Sequence, residues 1–329
     1  MFKNKTNWKK VLITGGAGYI GAAAVRHLIS LDYEVYVLDN LIQGANGVKC
    51  FYGYKPYNFI KGDIRDKKIV DEIVKKVDYV VHLAALVGES ACKKNPGETK
   101  SVNIDGTKNI VNACIKHKIQ RLIFLSTCSS YGVQDTSIMA HEETPLNPVS
   151  LYAESKISME EYIKKNYNND FSYTILRPST VHGLSPRMRF DLIVNHFVKD
   201  SIINGKLDIF GAELWRPLMW VGEVGRAIHE IFSCDLKLVK NQVFNLGNTR
   251  ENRKKREVAE IIKNKFLPQL EIKYSGQDQD LRSYKVDFSK IEKKLNFKLE
   301  KSLEKAIEEI VFSIKNNLFD NPNSPEFKN

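Results

Sequence analysis

The chain has 329 residues, 43% hydrophobic and 27% charged, proportions that suit a globular protein with a full core and exclude a disordered chain. Fifty Lys and Arg against 39 Asp and Glu leave a net charge of +11, but the excess is scattered lysine, as in MFKNKTNWKK and NRKKREVAEIIKNK; a solvated basic surface is expected, not a nucleic-acid stripe, with at most a hint of an anionic ligand. Five cysteines without a C-x-x-C pair argue against a disulfide framework or a zinc site, and no stretch approaches about 18 apolar residues, so a cytoplasmic protein with neither leader nor membrane span is expected.

Short apolar runs alternate with helix-period segments from the start. VLIT (11–14) is followed by a helix from about Gly18, then come EVYVLD (34–39), FIKGD (59–63), a helix, YVVHLAA (79–85), a helix around 103–117, and RLIFLST (121–127). YTILRP (173–178) follows the amphipathic SLYAESKISMEEYIKK. This rhythm predicts an α/β protein built from βαβ units, a Rossmann-type doubly wound parallel sheet buried on both faces. After about residue 180 the pattern loosens into LDIFG, VFNLG and LEIKYSG, with a last helix near 302–316. Two domains are expected, 1–180 around a dinucleotide and 181–329 smaller and mixed α/β, with the return of one strand from the second to the first left open. The tail NNLFDNPNSPEFKN is polar and Pro-interrupted and reads as frayed.

VLITGGAGYIGAAAVRHLI sets Gly15, Gly16, Gly18 and Gly21 between the first strand and its helix. Glycine there permits a tight turn and close backbone approach, so that free N–H groups at a helix N-terminus can face a pyrophosphate. Asp39 closes the second strand, where a carboxylate can accept from ribose hydroxyls and repel a 2′-phosphate, which selects NAD over NADP. Asp63, ending the third run, either contacts adenine or caps the next helix.

Tyr152 and Lys156 in YAESK stand at i and i+4 on one helix face. An ammonium beside a phenol favours the phenolate, so Lys156 is expected to draw Tyr152 toward neutrality and make it a base. The fifth strand ends in hydroxyl side chains that can reach the same point. Cys128 reads as a packed small residue, with proton transfer as the alternative; for His182 packing is preferred to donating a proton to a ligand. Glu89 and Ser90, after the fourth strand, either touch a ligand or cap a helix. Arg187 and Arg189 suit a diphosphate, with surface ion pairs as the alternative.

TGGAGYIG, DN at 39–40, GDIRD, HLAA, STCSSYG, YAESK and LRPST occur in the order and spacing of the extended short-chain dehydrogenase/reductases, and the chain resembles their NAD-dependent nucleotide-sugar epimerase/dehydratase members to about residue 315. The resemblance implies an enzyme with Thr127, Tyr152 and Lys156 as catalytic residues, acting by hydride transfer at sugar carbon 4 through a ketosugar. It implies NAD held by Gly15, Gly18, Tyr19, Ile20, Gly21, Asp39, Asn40, Asp63, Ile64, Leu83, Ala84, Ala85, Tyr152, Lys156 and Pro178. A nucleotide-diphosphate sugar as partner, with Arg216 and Arg282 on its diphosphate, and a homodimer are also implied. Dehydratases of this family carry Asp and Glu directly after the catalytic Thr. Cys128 and Ser129 stand there, so water loss is not expected. AALVGESACKKNP, GLSPRMRFDLIVN and RSYKVD are similar to a sub-branch of GDP-heptose 4-dehydrogenases of surface-polysaccharide pathways, which release the ketosugar and reoxidise NADH with 2-oxoglutarate or another small molecule. A non-catalytic NAD- or RNA-binding protein on the same fold is the alternative of another class.

Overall fold

The computed structural model describes residues 8–168, 170–276, 280 and 282–329. Its centre is a seven-stranded parallel sheet of β1 (Lys9–Thr14), β2 (Tyr33–Asp39), β3 (Tyr57–Lys61), β4 (Tyr79–His82), β5 (Leu122–Leu125), β6 (Tyr173–Pro178) and β10 (Gln242–Leu246), in the order β10-β6-β5-β4-β1-β2-β3. Strand residues alternate between two cores: Val11 and Ile13 face one, Leu12 the other. Helices cover both faces, among them α1 (Tyr19–Ile29), α2 (Lys67–Val74), α3 (Thr107–Lys116) and α4 (Leu151–Asn166). The strand order reverses between β1 and β4, which opens a crevice at their C-terminal ends.

Beyond residue 180 lies the smaller mixed part. It has a three-stranded sheet of β7 (Thr180–His182), β9 (Trp215–Trp220) and β11 (Asn252–Lys254), and a parallel pair of β8 (Lys206–Phe210) with β12 (Glu271–Ser275). Its longer helices are α5 (Ile193–Asn204), α6 (Gly222–Ser233), α7 (Lys255–Phe266) and α8 (Leu303–Lys315). VFNLG does not stay with this part: β10 pairs along β6 from Gln242↔Thr174 to Leu246↔Pro178. Among the described residues no helix is long and apolar enough to cross a membrane.

The segment after α8 departs from the frayed tail expected of its composition. Phe319 and Phe327 both pack on Phe190, and the Phe190 amide donates to the Phe327 carbonyl at 2.8 Å. Two aromatic anchors spaced by polar residues outweigh the Pro and Asn content that suggested fraying.

Two buried polar networks hold the crevice edge. Thr14 Oγ1 lies 2.6 Å from His82 Nδ1, and His82 Nε2 lies 2.9 Å from Thr107 Oγ1, whose proton goes to the Asn103 carbonyl. Thr107 therefore accepts from Nε2–H, and Nδ1 accepts from Thr14: His82 is neutral, its pKa pushed down to about 3 by burial. In the second network, Arg177 donates through Nε and a terminal nitrogen to Glu160 at 2.9 and 2.7 Å, and Ser126 donates to the same carboxylate at 2.5 Å. Both charged side chains are almost wholly buried. For Glu160, burial alone would raise the pKa, but Arg177 outweighs it and holds the carboxyl below its ordinary value.

Glu160→Gln leaves the Arg177 guanidinium buried and unbalanced, so a loss of about 3–5 kcal/mol of unfolding free energy is expected, read from the shift in urea midpoint. Burial also pushes the pKa of His182 down to about 3. Below an unfolded-chain value of about 6.5 the unfolded form takes protons that the folded form refuses until about pH 3, so stability falls as pH drops through that window. Denaturant titrations at pH 7 and pH 5 should show His182→Phe losing about 2 kcal/mol less than wild type over the interval.

Candidate active site

A cavity of about 860 Å³ opens at the crevice, lined at one end by Gly15, Gly18, Tyr19, Ile20, Gly21, Asp39, Asn40, Asp63, Ile64, Leu83, Ala84 and Ala85. Gly15 has φ +72°, and a Cβ there would lie 2.7 Å from the Ala84 backbone; a Cβ on Gly21 would meet the Gly15 carbonyl at 2.1 Å. Only glycine lets the turn come so close to the β4 loop and to its own helix. No side chain among the described residues caps α1, whose first residues Tyr19, Ile20 and Gly21 line the cavity, so its first amides are left for a ligand. The Tyr19 side chain is buried, and its hydroxyl donates to the Gly183 carbonyl at 2.6 Å.

Asp39 accepts from the Ala17 amide at 3.0 Å and the Leu41 amide at 2.8 Å. Burial pushes its carboxyl up, and these two bonds oppose the rise. Asp63 is not the cap of α2, a place taken by Asp66, which accepts from the amides of Lys68 and Ile69. It pairs instead with Arg65 at 2.7 Å and accepts from Asn40 Nδ2, and the Arg65 hydrogen bond lowers its pKa to about 2. These groups, a glycine cradle at a helix N-terminus with a carboxylate at the end of the adjacent strand, fit a dinucleotide.

At the middle of the cavity stand Thr127, Tyr152, Lys156 and Pro178. Ser150 caps α4 by accepting from the Ala153 amide, which sets Tyr152 in the first turn. Thr127, two residues past the end of β5, accepts from the Ser129 amide at 3.0 Å, so its own proton is left for a ligand. Lys156 donates to the Leu125 carbonyl at 2.8 Å, and its Nζ is 6.0 Å from the Tyr152 ring centroid. The expected lowering of the phenol by Lys156 is not present in this state. Burial pushes Tyr152 up, with the Cys92 thiol adding to it and Arg189 and Arg282 opposing, and burial pushes Lys156 down to about 8.

The far end carries the arginines. Arg282 donates twice to Asp280, at 2.8 and 2.7 Å, and to Ser129 Oγ at 2.9 Å; Arg216 reaches the same carboxylate at 2.9 Å. Burial would raise Asp280, but Arg282 and then Arg216 hold it well below the usual carboxylate range. Arg189 is paired with Asp191 at 2.7 Å, also in the cavity wall. Arg187 lines the wall nearer the cofactor end, bonded to Gln43, Lys328 and Asn329. Cys128 and His182 are both buried outside the cavity wall, the Cys128 thiol donating to the Arg177 carbonyl at 3.0 Å. The side chains of Glu89 and Ser90 lie outside the described residues.

Residues 11–247 match the model of the NAD dependent epimerase/dehydratase family. The chain belongs to this family. It is similar to a Methanocaldococcus jannaschii protein that bears the provisional name UDP-glucose 4-epimerase, 31% identical over 93% of this chain and 99% of the relative. It is also similar to the UDP-glucose 4-epimerase of Lactobacillus helveticus, 32% identical over 72% of this chain and 76% of that protein. Among solved structures, the UDP-glucose 4-epimerase of Thermotoga maritima with UDP-glucose superposes with a TM-score of 0.83 at 26% identity, over 94% of this chain and 100% of that one.

As a member of the epimerase/dehydratase family the protein is an enzyme that uses NAD. Several residues that frame its cavity have no motif to announce them. Asn103, in a π-helical turn, clamps the β4 loop through both backbone groups of Leu86 and reaches Ser155 Oγ at 3.2 Å, tying the loop to α4. Asp280 and Ser129 organise Arg282. An acid two residues before an arginine, in DLR, was the available signal for the first; Ser129 was read only as a missing carboxylate.

Arg282→Gln should raise KM for a sugar nucleotide about 10- to 100-fold in initial-rate measurements, the effect of losing one charge-assisted, partly buried donor to a diphosphate.

Proposed function

We propose that this enzyme is a nucleotide-diphosphate-sugar 4-epimerase. The observation that carries the reading is one cavity holding Thr127, Tyr152 and Lys156 between a dinucleotide cradle and the Arg216–Arg282 pair, with no carboxylate at the two positions after Thr127. NAD, when bound, supplies a hydride acceptor and donor with a positively charged ring. Tyr152 takes the proton of the sugar 4-hydroxyl, and Thr127 donates a hydrogen bond to the same oxygen as it becomes a carbonyl. Lys156, held at the Leu125 carbonyl, keeps positive charge near the phenol and a donor toward the nicotinamide ribose. Arg216 and Arg282 hold the diphosphate while the ketosugar turns its other face, and Tyr152 returns the proton. The names of the relatives, UDP-glucose 4-epimerase, support carbon 4 as the reacting position.

Purified protein should be incubated with UDP-, GDP-, dTDP- and CDP-sugars, with and without 2-oxoglutarate, and the products read by mass spectrometry and NMR. A product of unchanged mass inverted at C4 is expected. A product two mass units lighter means that the ketosugar is released, and one that has lost water overturns the reading. Tyr152→Phe should lower kcat at least about 100-fold.

A further inference from the structure

A buried guanidinium whose hydrogen-bond partners among the described residues are all neutral lies at the cofactor end of the cavity. Arg187 is 3% exposed. One terminal nitrogen donates to Asn329 Oδ1 at 2.8 Å, the other to Gln43 Oε1 and to the Lys328 carbonyl, each at 2.8 Å. Its Nε is buried without a partner among the described residues. The acid of its own loop, Asp191, is engaged by Arg189 through two hydrogen bonds. Burial lowers the pKa of Arg187 to about 10; the Arg189 charge adds to this, and Asp191, engaged by Arg189, offsets only part of it. Three neutral oxygens do not offset the cost of taking a charge out of water, so a site of this kind is completed by an anion.

Position says which anion. A Cβ on Gly47 would lie 2.1 Å from the Ala17 carbonyl and 3.0 Å from Arg187 Cβ, so Arg187 is rooted one small residue away from the glycine turn. Its loop is stitched to the first turn of α1: Ser185 donates to the Tyr19 carbonyl at 2.7 Å and Tyr19 donates to Gly183. Arg282 and Arg216, in contrast, gather at Ser129 and Asp280.

The segment 319–329 holds this arrangement in place. Beyond the Phe319, Phe327 and Phe190 cluster, Asn46 Nδ2 donates to Glu326 at 3.1 Å, Lys199 donates to Asn323 at 2.9 Å, and the Asn329 amide donates to Asp191 at 3.3 Å. One segment thus bridges the loop that follows Asp39 and the loop that carries Arg187, the two that flank a dinucleotide. Gln43, Arg187 and Asn329 all line the cavity wall.

We propose that Arg187 contacts the diphosphate of the dinucleotide cofactor, not that of the sugar, and that residues 319–329 are a strap which pins Arg187 and Gln43 across the cofactor and slows its release.

The test is the release of bound NAD+, followed by exchange against radiolabelled NAD+, with the NAD+ content of the purified full-length protein measured by chromatography after heat denaturation. Arg187→Gln, Phe327→Ala and Asn329→Ala are compared with wild type, and binding of UDP and GDP to the NAD-saturated proteins is measured by calorimetry. Release at least about ten-fold faster is expected in Arg187→Gln and Phe327→Ala, smaller but measurable acceleration in Asn329→Ala, and nucleotide affinity within about three-fold of wild type in all. Wild-type release rates in Phe327→Ala and Asn329→Ala, with cooperative melting retained, overturn the strap even if Arg187→Gln does not fold. Weakened UDP or GDP binding with unchanged NAD+ release in Arg187→Gln returns that residue to the sugar diphosphate.

Discussion

The reacting edge of this enzyme is organised by the buried Glu160–Arg177 pair. Glu160 lies two turns after Tyr152 and one after Lys156, on the same face of α4, and Arg177 is the penultimate residue of β6. Ser126, the residue before Thr127, donates to the same carboxylate. One ion pair therefore sets the helix that carries the phenol and ammonium against the strand end that carries the hydroxyl. Arg177 extends the constraint through Tyr131, which donates to Asn245 at 2.8 Å in the strand that returns from beyond residue 180. A buried pair is a poor source of net stability, since desolvation offsets most of its attraction. Its value here is positional: an apolar replacement could fill the space but would not fix Thr127, Tyr152 and Lys156 in register.

The cavity is a product of the same economy of connections. The β1–β4 crevice supplies the cradle, with neutral His82 linking the two strand ends to α3, and Asn103 fastens the next loop to α4. Groups suited to diphosphates come from sequence far away: Arg187 and Arg189 after β7, Arg216 on β9, Arg282 after β12. Arg189 is already held by Asp191, and Arg216 and Arg282 by Asp280, so these three are preorganised for an anion that joins or displaces those carboxylates.

Most of the sheet, and the gathering of Thr127, Tyr152 and Lys156 at one cavity, were legible because short continuous apolar runs and glycine spacing are local signals. YTILRP is β6 at the residues its pattern predicts, and VLIT and EVYVLD lie within β1 and β2. Less legible were elements whose meaning depends on distant partners. The helices over 193–204, 222–233 and 255–266 bury their faces against elements that sequence alone does not place. VFNLG looks like any strand until β6 offers it an edge. The docked tail depends on Phe190, more than a hundred residues earlier. Tyr152 shows the limit on the chemical side: Y-x-x-x-K spacing predicts proximity of phenol and ammonium, but the balance between charge and burial is set by a three-dimensional environment that also includes Arg189, Arg282 and Cys92.

The proposed 4-epimerase reading requires hydride transfer at a single carbon, with proton transfer by Tyr152 and retention of the ketosugar. The most direct measurement is the fate of deuterium placed at carbon 4 of the sugar nucleotide, followed by NMR as the C4 epimer forms in ordinary water. Deuterium that remains at C4 in the inverted product is the outcome required if the same hydride leaves and returns within one closed site. Deuterium washed into solvent, or an inverted product with hydrogen at C4, refutes it.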